Sequence, residues 1–168
     1  MPTVRPAHRD DLPQLVSIYN HYVEHSLATF DTEPATVETR TGWFEAFSDA
    51  GPHRLLVAFD GEGPRQRILG CASSGPYRQH PAFRSTVEVS VYLDPEVRGR
   101  GVGSALYRAL LEALRSEHVH VAVAGIALPN DASVALHRKF GFKEVGVFEE
   151  YAVKNGTYIS SVWMQLRL

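Results

Sequence analysis

The sequence is poor in the features that mark several large protein classes. A single cysteine, Cys71, rules out an internal disulfide and leaves a structural zinc site without its paired thiolates. No apolar run approaches the roughly 18–20 residues of a membrane-spanning helix, and the opening stretch MPTVRPAHRDD has no apolar signal core. Both absences point to a soluble protein of the cytoplasm. An excess of one charge is also missing: 17 Lys and Arg face 19 Asp and Glu, a net charge of −2, so the chain lacks the basic face of a nucleic-acid binder. There is no repeat, low-complexity tract or linker. What is present, 44% hydrophobic content over 168 residues, suits one domain spanning 1–168 with a substantial core.

The most informative stretch runs from Thr86 to Leu110. A β-branched apolar run (Val87, Val89, Val91, Leu93) stops at Asp94-Pro95, and a glycine-dense turn leads into an amphipathic helical pattern. In Arg98-Gly99-Arg100-Gly101-Val102-Gly103-Ser104 the glycines let the backbone approach a ligand, and the N–H groups and dipole of the following helix favour an anion. Two arginines make phosphate the natural guest. The spacing fits neither a mononucleotide P-loop, for which no Gly-Lys-Ser/Thr exists, nor the G-x-G-x-x-G of a dinucleotide fold.

Around this stretch, Thr3–Pro6 reads as a strand, and a helix starts at Asp10-Asp11-Leu12-Pro13 and runs to about His25. A loop covers Ser26–Pro34. A capping pattern at Thr36-Val37-Glu38-Thr39 opens a second helix with Trp43, Phe44 and Phe47 as its stripe, ending near Gly51-Pro52. Leu55–Phe59 and Ile68–Ser74 read as strands, with Cys71 packed rather than reactive, and Gly75–Arg84 as a loop suited to substrate contacts. After the glycine turn, Leu106, Leu110, Leu111 and Leu114 face the core of a helix ending near Glu117. Val119–Ala127 reads as a strand buried on both faces. Asn130 caps a helix that Gly141 stops, and two last strands, Val145–Tyr151 and Ile159–Leu168, turn at Asn155-Gly156. The order β-α-α-β-β-β-α-β-α-β-β is that of a mixed α/β domain.

Arg98-x-x-Gly101-x-Gly103 between strand and helix resembles the acetyl-CoA pyrophosphate loop of the GNAT-type N-acetyltransferases, [RQ]-x-x-G-x-[GA]. Asn130-Asp131-Ala132-Ser133 and the later Phe140-Gly141-Phe142 resemble that superfamily's second signature. The likeness extends to its phosphinothricin and methionine sulfoximine acetyltransferase branch through Asn20-His21-Tyr22, Phe30-x-Thr32-Glu33-Pro34, Gly75-Pro76-Tyr77-Arg78, Thr86-Val87-Glu88 and Lys154-x-Gly156-x-Tyr158. The resemblance implies a mostly antiparallel central sheet flanked by helices, and acetyl transfer from acetyl-CoA to the α-amine of a small amino acid or analogue of the phosphinothricin, methionine sulfoximine or methionine sulfone type. It also implies a homodimer, for which the apolar residues Val162, Trp163, Met164, Leu166 and Leu168 of the last strand are the candidate surface.

The resemblance further implies that the strand carrying Val91, Tyr92 and Leu93 splays from its neighbour, and that the pantetheine arm pairs with it as an added strand. The cofactor contacts are then Val91, Tyr92, Leu93, Arg98, Gly99, Arg100, Gly101, Val102, Gly103, Ser104, Asn130 and Ser133, with no metal. Glu88, an ionisable residue in an apolar strand, is the candidate general base, and His137 the candidate proton carrier. Phe30, Arg78, Phe83 and Glu88 are the acceptor contacts; Arg78 would hold an acidic group. His80, Phe83 and Ser160 stand where the branch has arginine, tyrosine and aspartate. A peptide amine as acceptor, or a non-catalytic acyl-CoA sensor, are the competing functions.

Overall fold

The computed structural model describes residues 2–63, 66–97 and 99–168. In chain order the elements are β1 (Thr3–Pro6), α1 (Leu12–His25), α2 (Val37–Glu45), β2 (Leu55–Asp60), β3 (Arg67–Pro76), β4 (Thr86–Leu93), α3 (Val102–Arg115), β5 (Val121–Ala127), α4 (Asp131–Lys139), β6 (Lys143–Lys154) and β7 (Thr157–Arg167). The strands form one sheet in the order β1-β2-β3-β4-β5-β7-β6, antiparallel throughout except for the parallel pair β4 and β5. This is the mixed α/β architecture that the element order predicts.

The sheet divides the helices by the two-residue alternation of its strands. Leu55 and Val57 of β2 join Leu15 and Ile18 of α1 on one face, whereas Leu56 and Ala58 join the fully buried Leu106, Leu110, Leu111 and Leu114 of α3 on the other. Burying each of those leucines contributes about 1.5–3 kcal/mol. β4 follows the same rule. Val87 and Val89 pack toward α3, and Glu88, Ser90 and Tyr92 fall on the α1 side.

Three boundaries differ from the sequence reading. α2 stops at Glu45 rather than near Gly51, because the N–H groups of Ala46 and Phe47 bond three residues back to Trp43 and Phe44 and tighten the last turn. Asp11 precedes α1 but does not cap it: its carboxylate accepts both Arg5 guanidinium nitrogens at 2.7 and 2.9 Å and the His8 N–H at 2.7 Å. β5 is buried only at alternate positions through Ala124, with Gly125 exposed, because its other face borders a cleft.

The loop between α1 and α2 is pinned at both ends. The Asn20 amide donates to Ala35 O and accepts from Ala35 N, both at 2.8 Å. At the other end Lys154, 3% exposed at the end of β6, donates from Nζ to Ser26 O at 2.8 Å and Thr29 O at 3.0 Å, with Tyr22 O at 3.5 Å. Burial holds its pKa below the usual lysine range. Replacing it with methionine preserves length but leaves these carbonyls without their donor, a cost of about 1–3 kcal/mol. Lys154→Met is therefore expected to lower the unfolding midpoint and to open the 26–34 loop to limited proteolysis, measured by denaturant titration and digestion.

Candidate active site

β4 and β5 pair only through Thr86–Val121, Val87–Ala122 and Glu88–Val123, whereas on its other side β4 stays paired with β3 as far as Leu93. Beyond Glu88 the edge of β4 that faces β5 has no strand beside it. Val91, Tyr92 and Leu93 lie on this freed segment, in the splayed arrangement that the resemblance implies.

A cavity opens from each face of the sheet into this gap. On the α3 and α4 side it is about 60 Å³, lined by Val89–Tyr92, Tyr107, Ala124–Ala127, Asn130, Ser133 and His137. On the α1 side it is about 230 Å³, lined by Glu88, Phe30, Tyr151, Ser161 and Trp163 among others. Both cavities share Ala28, Ser90, Tyr92, Gly125 and Ala127, so they meet across the gap.

Glu88 stands at the fork, the last residue of β4 paired with β5. It is half-buried, burial raises its pKa above the ordinary carboxylate range, and among the described residues it has no hydrogen-bond or ion-pair partner. A carboxylate with no counter-ion and a raised pKa is suited to accept a proton near neutrality.

His137 is 2% exposed, with both ring nitrogens engaged. Nδ1 lies 2.7 Å from Ser133 O, which can only accept, so Nδ1 carries the proton; Nε2 at 2.8 Å then accepts from the Tyr107 hydroxyl. Burial lowers the imidazole pKa and pushes the Tyr107 phenol up. His137 thus faces the α3-side cavity, not the one holding Glu88. Tyr107 escaped the sequence reading because it stands among the core residues of an amphipathic helix.

At the glycine turn, Arg98 lies outside the described residues. Gly99 and Gly101 take positive φ of 69° and 71°, and Gly101 precedes α3 in the left-handed conformation. Gly103 has a second use: an added Cβ would lie 3.1 Å from Leu136 Cδ2, so its smallness lets α3 and α4 meet. A valine there perturbs packing as well as any ligand contact, contrary to a reading of both glycines as serving the turn alone. Val102 is buried in the core. Arg100 leans toward β2, 3.3 Å from Asp60. Lys139 of α4 also brings a cation to the start of α3, its Nζ donating to Ser104 Oγ at 2.9 Å; no sequence pattern announces it. Asn130 accepts from Ser133 N at 3.2 Å, while its amide nitrogen has no partner among the described residues and Asn130 borders the cavity. An unpaired strand edge, spare amide donors and a helix N-terminus in succession fit an extended acyl-CoA arm with a phosphate end.

Of the acceptor candidates, Phe30 and Glu88 share the larger cavity. Arg78 and Phe83 do not line it. Arg78 is exposed, its guanidinium 5.2 Å from the Tyr77 ring centroid and 6.0 Å from that of Phe83, and Tyr77 touches Trp163 at 6.2 Å. Trp163 covers Gly125, where a Cβ would meet the indole at 2.9 Å. In β6 the pairing slips between Phe148 and Ala152, with Glu150 at φ 50°; Ser160 Oγ accepts the Glu150 N–H, and the bulge sends the Tyr151 hydroxyl to Ser161 at 3.1 Å. Cys71 is buried and its thiol is pushed up to about 12, so it stays protonated. Among the described residues no three His, Cys, Asp or Glu side chains gather as metal ligands would.

The model of the acetyltransferase (GNAT) family matches residues 15–142. Phosphinothricin N-acetyltransferase of Streptomyces coelicolor is 48% identical over 162 residues, covering 96% of this chain and 94% of that protein. The L-methionine sulfoximine/L-methionine sulfone acetyltransferase of Pseudomonas paraeruginosa is 39% identical over 166 residues, covering 99% and 94%. The crystal structure of a GNAT superfamily phosphinothricin acetyltransferase from Sinorhizobium meliloti in complex with AcCoA superposes with a TM-score of 0.91 at 30% identity, over 99% of this chain and 88% of that one. With the splayed strands, the glycine turn and a family match across most of its length, the chain belongs to the GNAT acetyltransferase family.

Proposed function

We propose that the protein is an acetyl-CoA-dependent N-acetyltransferase of small amino acids or their analogues, of the phosphinothricin or methionine sulfoximine and sulfone type, acting by direct transfer in the cytoplasm without a metal. The observation that carries this is the end of β4–β5 pairing at Glu88, which puts an unpartnered carboxylate in the α1-side cavity, beside the gap through which it meets the other. The relatives' names support the acceptor class. A volume of about 230 Å³ beside Glu88 also suits an amino acid better than a peptide groove.

Bound acetyl-CoA supplies a thioester carbonyl that a free amine can attack. Residues 89–93 of β4 hold the arm extended, Asn130 and Ser133 face it, and the α3 N-terminus with Gly99–Ser104, Arg100 and Lys139 holds its phosphates; Arg98 belongs to the same turn. Glu88 takes the proton that the acceptor's ammonium must lose. As the carbon–nitrogen bond forms, the carbon–sulfur bond breaks, and a proton delivered at the sulfur side keeps the thiolate from returning. His137 lies on that side and, once protonated, carries the proton that the thiolate takes. Phe30, and Phe83 with Arg78 one ring layer further out, shape the acceptor end.

The protein acts as a homodimer. Of the apolar β7 residues that suggest this from the sequence, Val162 and Met164 are buried, Leu166 and Leu168 pack on the core and Trp163 lines the cavity. Apart from Tyr158 at the start of β7, the exposed apolar side chains of the β6–β7 pair lie on edge strand β6: Val145, Val147, Phe148, Tyr151 and Val153, at 45–64% exposure. A long apolar edge is an aggregation hazard unless covered, and a second copy covers it.

Glu88→Gln is expected to cut kcat at pH 7 by roughly 10²–10⁴-fold, with acetyl-CoA affinity unchanged, and the loss should shrink at alkaline pH, where the amine arrives deprotonated. The raised folded-state pKa gives Glu88 a stability contribution that is present at acid pH and lost as pH rises through it, so the variant should melt at or above the parent at pH 7. Near-normal turnover at pH 7 would remove Glu88 as the base. Gly101→Val places a side chain at a left-handed position, a strain of about 1–2 kcal/mol, with nothing within 4 Å to clash; acetyl-CoA binding measured by calorimetry should weaken about tenfold in a folded protein. Sedimentation at micromolar concentration should give a dimer, and Val147→Lys a monomer.

A further inference from the structure

Arg40, in α2, is held between two aromatic faces, its guanidinium carbon 4.1 Å from the Tyr19 ring centroid and 4.0 Å from that of Trp43. Contact with two ring faces leaves the fork of N–H donors at the edge of the guanidinium as the part that can bind a ligand. Among the described residues that edge meets no hydrogen-bond acceptor and no carboxylate. Asp31, whose charge is felt in the same region, is bonded by the Tyr19 hydroxyl instead.

The side chain lines a cavity of about 180 Å³ between α1, α2 and the sheet, together with Ser73, Ser90, Cys71 and Tyr92. Ser73 of β3 and Ser90 of β4 are directly opposed across the strand pair, and neither hydroxyl has a partner among the described residues. Burial raises the Cys71 thiol and the Tyr92 phenol while the Arg40 charge pulls both down, so that charge reaches into the cavity. A planar cationic fork facing two free hydroxyls is a receptor for a carboxylate or phosphinate.

Ser90 and Tyr92 line this cavity and also the one holding Glu88. Residues on one face of a strand are spaced by about 7 Å, so the Arg40 cavity begins one such step from Glu88. An α-carboxylate, on the same carbon as the amine, is too close to Glu88 to reach it. An acid at the end of a side chain three or four carbons long is not.

We propose that Arg40, with Ser73 and Ser90, forms an anion subsite that takes the side-chain acid of the acceptor, so that the enzyme prefers α-amino acids with a γ- or δ-acid over neutral ones of equal length. This rests on the assignment of the Glu88 cavity to the acceptor, and it moves the acid contact from the exposed Arg78 to Arg40.

Steady-state kinetics with phosphinothricin, which carries the acid, and methionine sulfone, which does not, tests it. Arg40→Gln should lower kcat/KM for phosphinothricin roughly 10- to 100-fold, the span of a charge-assisted bidentate contact, through KM, and change methionine sulfone less than threefold. Arg40→Lys retains the charge without the fork and should fall between. It also serves if Arg40→Gln, which loses the stack between α1 and α2, does not fold. Equal losses for both acceptors would make Arg40 a packing clamp and overturn the subsite, as would an acid preference that survives in Arg40→Gln and disappears in Arg78→Gln. Calorimetric titration with phosphinothricin separates this from the transferase reading. Saturable binding lost in the Arg40 variants but without CoA release would support the subsite and sink the transferase; binding unchanged by the variants would sink the subsite.

Discussion

Pairing between β4 and β5 lasts for three residues, and the functional geometry follows from where it stops. Parallel strands normally stay paired along their length, because each abandoned backbone group must find another partner. Here the unpaired edge of β4 leaves backbone groups that an extended ligand can pair with. The same divergence makes a passage through the sheet, so a group bound on the α3 side can meet one bound on the α1 side. Gly125 and Trp163 keep the far wall in shape: the indole fills the space over a residue that has no side chain.

The strand alternation then sorts the chemistry. Because Val87 and Val89 must face α3, Glu88, Ser90 and Tyr92 must face α1, and the Glu88 carboxylate is separated by the sheet from Tyr107 and His137. The two titratable sites thus lie on opposite sides of the gap between β4 and β5. Their environments differ in the same sense. Glu88 is desolvated without a partner, whereas the imidazole of His137 is locked as one neutral tautomer by Ser133 and Tyr107.

The α1 side of the sheet is built from parts distant in sequence and held by polar clasps. Lys154 reaches from the end of β6 to three carbonyls of α1 and its following loop, Asn20 closes the loop's other end, and the Tyr19 hydroxyl meets Thr29 at 2.7 Å and also bonds Asp31. A loop fixed in this way can present Phe30 to the cavity while much of its surface stays in solvent.

Local physical rules made much of this legible before any coordinates. Two-residue alternation fixed which face of β4 carries Glu88; the leucine stripe of α3, the Asn130 cap and the left-handed turn at Asn155-Gly156 are local too, and so is the glycine turn before α3. The extent of the β4–β5 pairing is not local, and it entered only through likeness to a family. Neither Lys139 beside Ser104, nor Tyr107 beneath His137, nor Arg40 facing Ser73 and Ser90 has a sequence signature, since each contact joins elements whose separation along the chain says nothing about distance. The exposed apolar surface shows the same limit. Apolar residues crowd the last strand because β7 is enclosed by β5 and β6 in the sheet, while the exposed apolar face falls on β6, whose place at the edge is a property of strand order. Sequence alone determined the elements, the faces of their side chains and the glycine turn before α3, because these depend on neighbours a few residues away; tertiary structure decided which faces meet, because that depends on the path of the whole chain.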